Sequence, residues 1–119
     1  MDVRSRFDAT PFTTKDGSEI RVLLDAEVAA AANQSLAEAV LAPGQATERH
    51  YHARTEEIYF LLEGAGEMEV DGDTQTVGPG DAVLIPAGAR HQITATGGSE
   101  LRFLCCCAPA YAHEDTFFD

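Results

Sequence analysis

A chain of 119 residues with 45% hydrophobic side chains can bury one core but hardly two, so we expect a single domain. Its 20 acidic and 8 basic residues give a formal net charge of −12, a field that repels nucleic acid and anionic membranes. No stretch approaches the roughly 18 apolar residues of a membrane span, and the first residues lack the apolar core of a signal peptide. We therefore expect a soluble cytoplasmic protein that binds neither nucleic acid nor membranes.

The chain divides into a polar N-terminal arm, a body of short strands and a short tail. The arm covers residues 1–19 and ends in a predicted turn at residues 15–18, the body covers residues 20–110, and the tail covers residues 111–119. The alanine-rich residues 26–32 fit either one helical turn or a loop. Because the tail contains three aromatic residues that are poorly placed in water, we expect it to dock on the body.

Short apolar runs separated by glycine and proline predict an all-β body. A first strand is predicted at residues 20–24. Eight more are predicted at residues 35–42, 46–53, 57–63, 66–71, 74–77, 82–85, 91–96 and 100–108. The pair Asp71 and Gly72 is the clearest hairpin signal, because a two-residue type I′ turn requires positive φ at both central positions. Short, evenly spaced strands of this kind are typical of a sandwich or barrel.

The strand predicted at residues 57–63 is apolar on both faces. Alternation places Ile58, Phe60 and Leu62 on one face and further apolar side chains on the other. The outer face of a small barrel normally meets water, so this row requires cover from a second sheet or a second subunit. The first predicted strand can supply that cover, exchanged between two subunits, and we predict a homodimer.

Three of the four histidines form a pattern suited to metal binding. His50 and His52 are two residues apart, which in a strand aims both imidazoles at the same face. Glu57 begins an apolar strand, where an unpaired inward carboxylate is costly unless a cation lies nearby. His91 follows a tight turn at the start of another strand. Three imidazoles and a carboxylate that converge at one barrel mouth suit a first-row transition metal better than calcium or magnesium.

These four residues fall in two longer stretches, GQATERHYHARTEEIYFLLEG at residues 44–64 and GDAVLIPAGARH at residues 80–91. The stretches resemble the first and second motifs of the cupin family, with a short spacing between them, and the resemblance extends over residues 35–110. It implies a double-stranded β-helix, also called a jelly-roll barrel. It also implies one divalent ion of iron, manganese, nickel, copper or zinc, bound by His50, His52, Glu57 and His91. The second motif usually ends in asparagine, where this chain has Ala95, and local hydrogen bonding there is in doubt.

Alternation nominates a further set of inward side chains around the predicted metal site: Glu48, Tyr59, Leu61, Ile93, Phe103, Cys105 and Cys107. Tyr59 and Glu48 are the proton carriers of this set, so they are candidate catalytic residues for substrate hydrogen bonding or acid–base chemistry. For Tyr59, a core aromatic with its hydroxyl at the rim explains the pattern equally well. The only cysteines are three consecutive residues, which cannot easily form a disulfide, so we expect reduced thiols and inert packing.

The resemblance implies a metalloenzyme of dioxygenase, isomerase or lyase type that binds a small substrate through open positions of the ion. A non-catalytic module that binds or senses a small molecule is the alternative, favoured by the mostly apolar pocket residues. A storage or structural role fits less well with an intact ligand set. His113 in the tail is not expected to be a fifth ligand, and the single lysine, Lys15, makes Schiff-base catalysis improbable.

Overall fold

The computed structural model describes residues 1–118 and shows a nearly all-β domain, so Asp119 of the predicted tail lies outside the described residues. Two short 3-10 turns, Arg6–Asp8 and His113–Asp115, accompany the strands. The strands are β1 (Phe12–Thr13), β2 (Glu19–Leu24), β3 (Ser35–Leu41), β4 (Tyr51–His52), β5 (Glu56–Glu63), β6 (Gly66–Val70), β7 (Asp73–Val77), β8 (Ala82–Ile85), β9 (His91–Ala95), β10 (Leu101–Ala108) and β11 (Thr116–Phe117). None of the helical segments in this range is long and apolar enough to cross a membrane.

The strands form two main sheets that share one core. The larger sheet has the order β1-β2-β3-β10-β5-β8, the smaller has the order β7-β6-β9, and β4 pairs with β11. Every pairing is antiparallel. Buried apolar side chains from both sheets form a single cluster, which includes Leu41, Leu61, Met68, Ile93 and Phe103. This architecture is the jelly-roll barrel that the sequence predicts.

Residues 46–53 depart from the single strand predicted there, because only Tyr51–His52 is regular. Thr47 is 1% exposed, and its hydroxyl accepts a hydrogen bond from the backbone N–H of Ile93 (3.1 Å). A side chain thus replaces a backbone acceptor in the ladder, and the alternation of inward and outward residues is interrupted. The interruption matters for the site, because it determines which neighbouring side chains face the interior.

The strand predicted at residues 20–24 joins the large sheet instead of covering it. β2 pairs with the free edge of β3, with Ile20 opposite Ala39, and two strands, β3 and β10, separate it from β5. Ile58 and Phe60 on the outer face of β5 therefore remain 41% and 38% exposed. Within one chain β2 does not cover them, because the edge of β3 offers that strand a ladder of backbone hydrogen bonds.

The alanine-rich residues 26–32 form a loop that begins with one hydrogen-bonded turn, so it combines the two alternatives left open by the sequence. In this turn the N–H of Ala29 donates to the carbonyl of Asp25 (3.1 Å). The Asp25 carboxylate also accepts hydrogen bonds from the N–H groups of Glu27 and Val28 (2.9 and 3.0 Å). These contacts satisfy the backbone donors without a helix.

Gly64, which follows β5, lies where a side chain cannot be accommodated. Its φ is +84°, and a Cβ atom there would overlap the backbone carbonyl oxygen of Glu100. Gly72, in the β6–β7 hairpin, has a similar φ of +87°, but a Cβ atom there would meet no atom within 4 Å. A side chain at Gly72 would therefore cost only the free energy of a positive φ, whereas one at Gly64 would also clash with the backbone.

Gly64→Ala should lower the free energy of unfolding by about 3 kcal/mol, since positive φ and a backbone clash both contribute. Gly72→Ala serves as the matched control and should cost only about 1 kcal/mol. Urea unfolding followed by circular dichroism measures both. Equal losses in the two variants would show that the close approach to Glu100 does not constrain the fold.

Candidate metal centre

Paired backbone hydrogen bonds bring the three predicted histidine ligands together. His50 and His91 form an isolated antiparallel bridge, in which each N–H donates to the other's carbonyl (3.1 and 2.8 Å). Their ring centroids are 4.2 Å apart, and the ring of His52 lies 5.1 Å from that of His50 and 5.5 Å from that of His91. All three residues are buried, and their candidate ligand atoms lie within 4.8 Å of one another.

Glu57 brings a carboxylate to the same place. Its Oε1 atom lies 3.4 Å from Nε2 of His52 and 3.6 Å from Nε2 of His91, and the residue is 4% exposed. Cys107, its neighbour across the ladder in β10, donates its thiol hydrogen to Oε2 (3.2 Å). Glu56 is exposed, as alternation predicts. The structure thus brings all four predicted ligands together.

Each imidazole is oriented by a contact to a backbone carbonyl. A carbonyl oxygen only accepts hydrogen bonds, so the Nδ1 atom facing it carries the hydrogen, and in the neutral ring Nε2 then holds a free lone pair. Such carbonyl contacts fix the tautomer and ring orientation of metal-binding histidines. The contacts are His50 Nδ1 to Glu48 O (2.7 Å), His91 Nδ1 to Ala89 O (3.0 Å) and His52 Nδ1 to Asp115 O (3.3 Å).

Two buried atoms at the centre lack a hydrogen-bond partner among the described residues, Oε1 of Glu57 and Nε2 of His91. Both are acceptors in these protonation states, and they face each other across 3.6 Å. A buried unsatisfied polar group costs about 1–3 kcal/mol, and more when it is charged. A divalent cation bound by both atoms removes that cost, and imidazole with carboxylate is a ligand set suited to transition metals. The residues present therefore fit a metal ion.

The buried ionisable side chains at the centre shift one another's pKa values. Burial alone raises the pKa of Glu57, but the imidazoles of His52 and His91 outweigh it and lower that pKa to about 2. Burial lowers the pKa of His50, and His91 reinforces the effect, which favours the neutral ring. Burial also acts to lower the pKa of His52, but the Glu57 carboxylate outweighs it and the pKa is raised. A histidine ligand must be neutral, so the raised pKa of His52 should weaken metal binding as the pH falls.

Tyr59 lies beside the centre, inside the barrel. It is 2% exposed, and its ring centroid is 6.1 Å from that of His91 and 4.6 Å from that of Phe103. Burial raises the pKa of its hydroxyl well above the ordinary value, and the Glu57 carboxylate adds to the effect. The hydroxyl therefore stays protonated and is able to donate a hydrogen bond to a bound molecule.

Glu48 does not lie inside the barrel, and the expectation that its side chain points inward is wrong. The irregular backbone around the buried Thr47 leaves Glu48 and Arg49 exposed in succession before His50 turns inward again. Only the backbone carbonyl of Glu48 contacts the site. Leu61 and Ile93 are fully buried, as expected, but belong to the core behind the centre and do not line the cavity.

A cavity lined by three of the four predicted ligands opens between the larger sheet and the N-terminal arm. His91 lies behind it and is not among the lining residues. Its polar end carries His50, His52, Glu57 and Tyr59. Its walls are mainly apolar and include Phe12, Ile20, Val22, Ala37, Ala39 and Phe103. A polar end with convergent ligands and apolar walls is the usual composition of a site for a small organic molecule.

The C-terminal tail is docked next to His52, as the sequence predicts. β11 pairs with β4, and the hydroxyl of Thr116 lies 3.2 Å from Nδ1 of His52. The buried Asp115 carboxylate accepts hydrogen bonds from two backbone N–H groups in the loop after β4. His113 is exposed and lies outside the histidine cluster. Residues 111–118 of the tail therefore support one ligand and add no histidine to the cluster.

Sequence reasoning missed Asp16, which lies in the turn between β1 and β2. Its Oδ2 atom is 3.7 Å from Nε2 of His50, and its side chain is 13% exposed. The residue types at positions 15–18 indicate only a turn, and nothing local relates that turn to a histidine more than thirty positions later. The contact depends on how the arm folds across the barrel.

Known proteins share this architecture. A sequence profile described as the cupin domain matches residues 37–107. An uncharacterised protein of Methanocaldococcus jannaschii is 43% identical over 115 residues, 96% of this chain and 92% of that protein. CurC, a polyketide synthase protein of Streptomyces cyaneus, is 29% identical over 86% of this chain and 70% of its own length. The solved polyketide cyclase RemF of Streptomyces resistomycificus has a TM-score of 0.80 and 26% identity over 97% of this chain and 89% of its own.

Titration of the protein with a metal ion distinguishes a histidine that binds the ion from one that does not. His91→Ala should weaken Co(II) binding at least about 100-fold, because it removes a ligand and not merely a residue that orients one. His113→Ala, which changes an exposed histidine of the tail, should bind like the wild type. Isothermal titration of protein purified without a metal column gives both affinities. Unchanged binding in His91→Ala would contradict the predicted centre.

Proposed function

Because the chain belongs to the cupin family, we propose that it is an enzyme using one divalent transition-metal ion held by His50, His52, Glu57 and His91. The observation that carries the proposal is the pair of unsatisfied acceptors, Oε1 of Glu57 and Nε2 of His91, beside a mainly apolar cavity that Glu57 also lines. A bound divalent ion supplies a Lewis acid that polarises a substrate oxygen.

The proposed substrate is a small ketone or enol with an apolar or aromatic body. The walls of the cavity offer aliphatic and aromatic contact, while its polar end offers the ligands and the Tyr59 hydroxyl. RemF is a polyketide cyclase and CurC a polyketide synthase protein, and both names are consistent with carbonyl-rich aromatic substrates. Polarisation of a carbonyl oxygen makes the hydrogens on the neighbouring carbon acidic enough for water to remove one. This is the first step of isomerase and lyase chemistry, and it fits these features better than dioxygenation does.

In this proposal the chain's own residues position the substrate. Phe12 and Phe103 hold the apolar body and keep water away, and exclusion of water strengthens every charge interaction in the cavity. The protonated Tyr59 donates a hydrogen bond to a substrate oxygen, where it stabilises developing negative charge. Glu48 has no role, because its side chain faces the solvent.

Exchange of α-protons for deuterium tests this chemistry. The metal-loaded protein should accelerate exchange into aryl ketones such as 1-tetralone, followed by proton NMR in D₂O. Tyr59→Phe should slow the exchange about 100-fold, as loss of a positioned proton donor does. Tyr51→Phe is the control, since Tyr51 stacks on Phe117 outside the cavity. If the ketone binds but its protons do not exchange, the chain is a binding module.

We also propose that the protein is a homodimer joined through the outer face of the larger sheet. Ile58 and Leu84 are paired across β5 and β8, and they are 41% and 56% exposed. Phe60, next along β5 on the same face, is 38% exposed. Contiguous apolar side chains on an outer sheet face typically mark a contact with another protein, and a second copy brings a matching face.

The double variant Ile58→Lys/Leu84→Lys should be monomeric, because two buried ammonium groups oppose association. Thr74→Lys/Thr76→Lys, on exposed positions of β7 in the smaller sheet, should leave the dimer intact. Sedimentation equilibrium at micromolar concentration gives the mass of each. A monomeric wild type would overturn the proposal.

The cysteines support a cytoplasmic location, which we propose on chemical grounds. Cys105, Cys106 and Cys107 are all free thiols, and no disulfide exists among the described residues. Free thiols persist in a reducing compartment. Burial also raises the pKa of Cys105 and Cys107, so both are poor nucleophiles.

A further inference from the structure

Asp16 places a second carboxylate at the centre, from a part of the chain outside the matched family region. It belongs to the turn between β1 and β2, whereas the family match covers residues 37–107. Its Oδ2 atom lies 3.7 Å from Nε2 of His50. Among residues 1–118, no lysine or arginine lies within ion-pair distance of this carboxylate, and His50 is the titratable side chain that it contacts.

Two electron-pair donors face each other in this contact. The Nδ1 atom of His50 donates to the Glu48 carbonyl (2.7 Å), so Nε2 of the neutral ring carries a lone pair that points at Oδ2. His50 is 2% exposed and the Asp16 side chain 13%. An acceptor opposite an acceptor in a partly dry site is unfavourable unless a cation lies between them. The same arrangement links His91 to Glu57.

The turn holds Asp16 so that one oxygen is occupied and the other is not. Oδ1 accepts hydrogen bonds from the backbone N–H and the hydroxyl of Ser18 (2.9 and 2.6 Å). The Asp16 carbonyl accepts a hydrogen bond from the N–H of Glu48 (2.8 Å), which ties the turn to the segment that carries His50. No described residue donates a hydrogen bond to Oδ2. The hydrogen bonds to Oδ1 and to the Asp16 carbonyl therefore fix the position of Oδ2, which itself accepts none of them.

The spacing of the donor atoms fits a shared ion. Two ligands that each lie about 2.1 Å from an ion can be at most about 4.2 Å apart. The separations of 3.7 Å between Asp16 and His50, and of 3.4 and 3.6 Å from Glu57 to His52 and His91, all fall below that limit. Asp16 therefore meets this pairwise criterion toward His50, and Glu57 meets it toward His52 and His91.

We propose that Oδ2 of Asp16 is a further ligand of the metal centre, so that the ion is held by three imidazoles and two carboxylates. The inference rests on the metal site proposed above. Two carboxylates neutralise the charge of a divalent ion, and a second hard oxygen ligand favours manganese or iron over zinc. The arm then completes the centre, and one position fewer is left open for substrate.

Visible absorption of Co(II)-loaded protein tests the proposal, because the d–d bands intensify as the coordination number falls from six or five to four. Asp16→Asn keeps the oxygen that binds Ser18 and replaces only Oδ2. It should intensify the bands and weaken Co(II) binding by about 10-fold or more. Asp25→Asn is the matched control, since it removes a negative charge from the same cavity away from the histidines and should leave the spectrum unchanged.

The remaining outcomes contradict either the role of Asp16 or the metal centre as a whole. If the wild type binds Co(II) and Asp16→Asn has the same spectrum, Asp16 is not a ligand, while the centre stands. If Asp16→Asn and Asp25→Asn weaken binding equally without a spectral change, Asp16 acts only through its charge, and the inference is again overturned. If the wild type does not bind Co(II), the centre itself is wrong. Ser18→Ala removes one hydrogen bond to Oδ1 but keeps both Asp16 oxygens, so it should retain the wild-type spectrum. This variant distinguishes a change in the position of the turn from the loss of a metal ligand.

Discussion

The reciprocal backbone hydrogen bonds between His50 and His91 are the interaction on which the site depends. They join the irregular segment before β4 to the start of β9 and place two imidazoles on one face. Carbonyl contacts at Nδ1 then prevent the rings from presenting the wrong nitrogen. The lone pairs converge because of the backbone, before any ion binds, so little side-chain freedom remains to be lost on binding.

Convergence of so many acceptors is unfavourable by itself. Glu57 lies among imidazoles in a buried site, and Asp16 approaches the same cluster from the arm. Without a metal, the mutual attraction of the Glu57 carboxylate and the His52 imidazole lowers the pKa of Glu57 and raises that of His52. With a metal, the ion binds the same groups, and its binding free energy adds to the stability of the fold. Metal affinity and folding are therefore coupled through one cluster.

The local part of this site could be predicted from the sequence, and the non-local part could not. Strand alternation and histidine spacing depend on neighbouring residues, so they place Glu57 and Tyr59 correctly. Glu48 was misplaced because a hydrogen bond from distant β9 to the Thr47 side chain interrupts the alternation. The place of β2 within one chain could not be predicted, because its choice between a sheet edge and a sheet face depends on the edge left free by β3. Asp16 reaches the centre only through the folding of the arm, which leaves no local signal.

X-ray absorption fine structure of the metal-loaded protein in solution tests the central claim most directly, because imidazole rings scatter in a recognisable pattern. The account predicts three imidazole ligands, with the remaining positions filled by oxygen. A sulfur shell would assign the ion to Cys105 and Cys107, which also line the cavity. That result, or a shell without imidazole, would contradict the account.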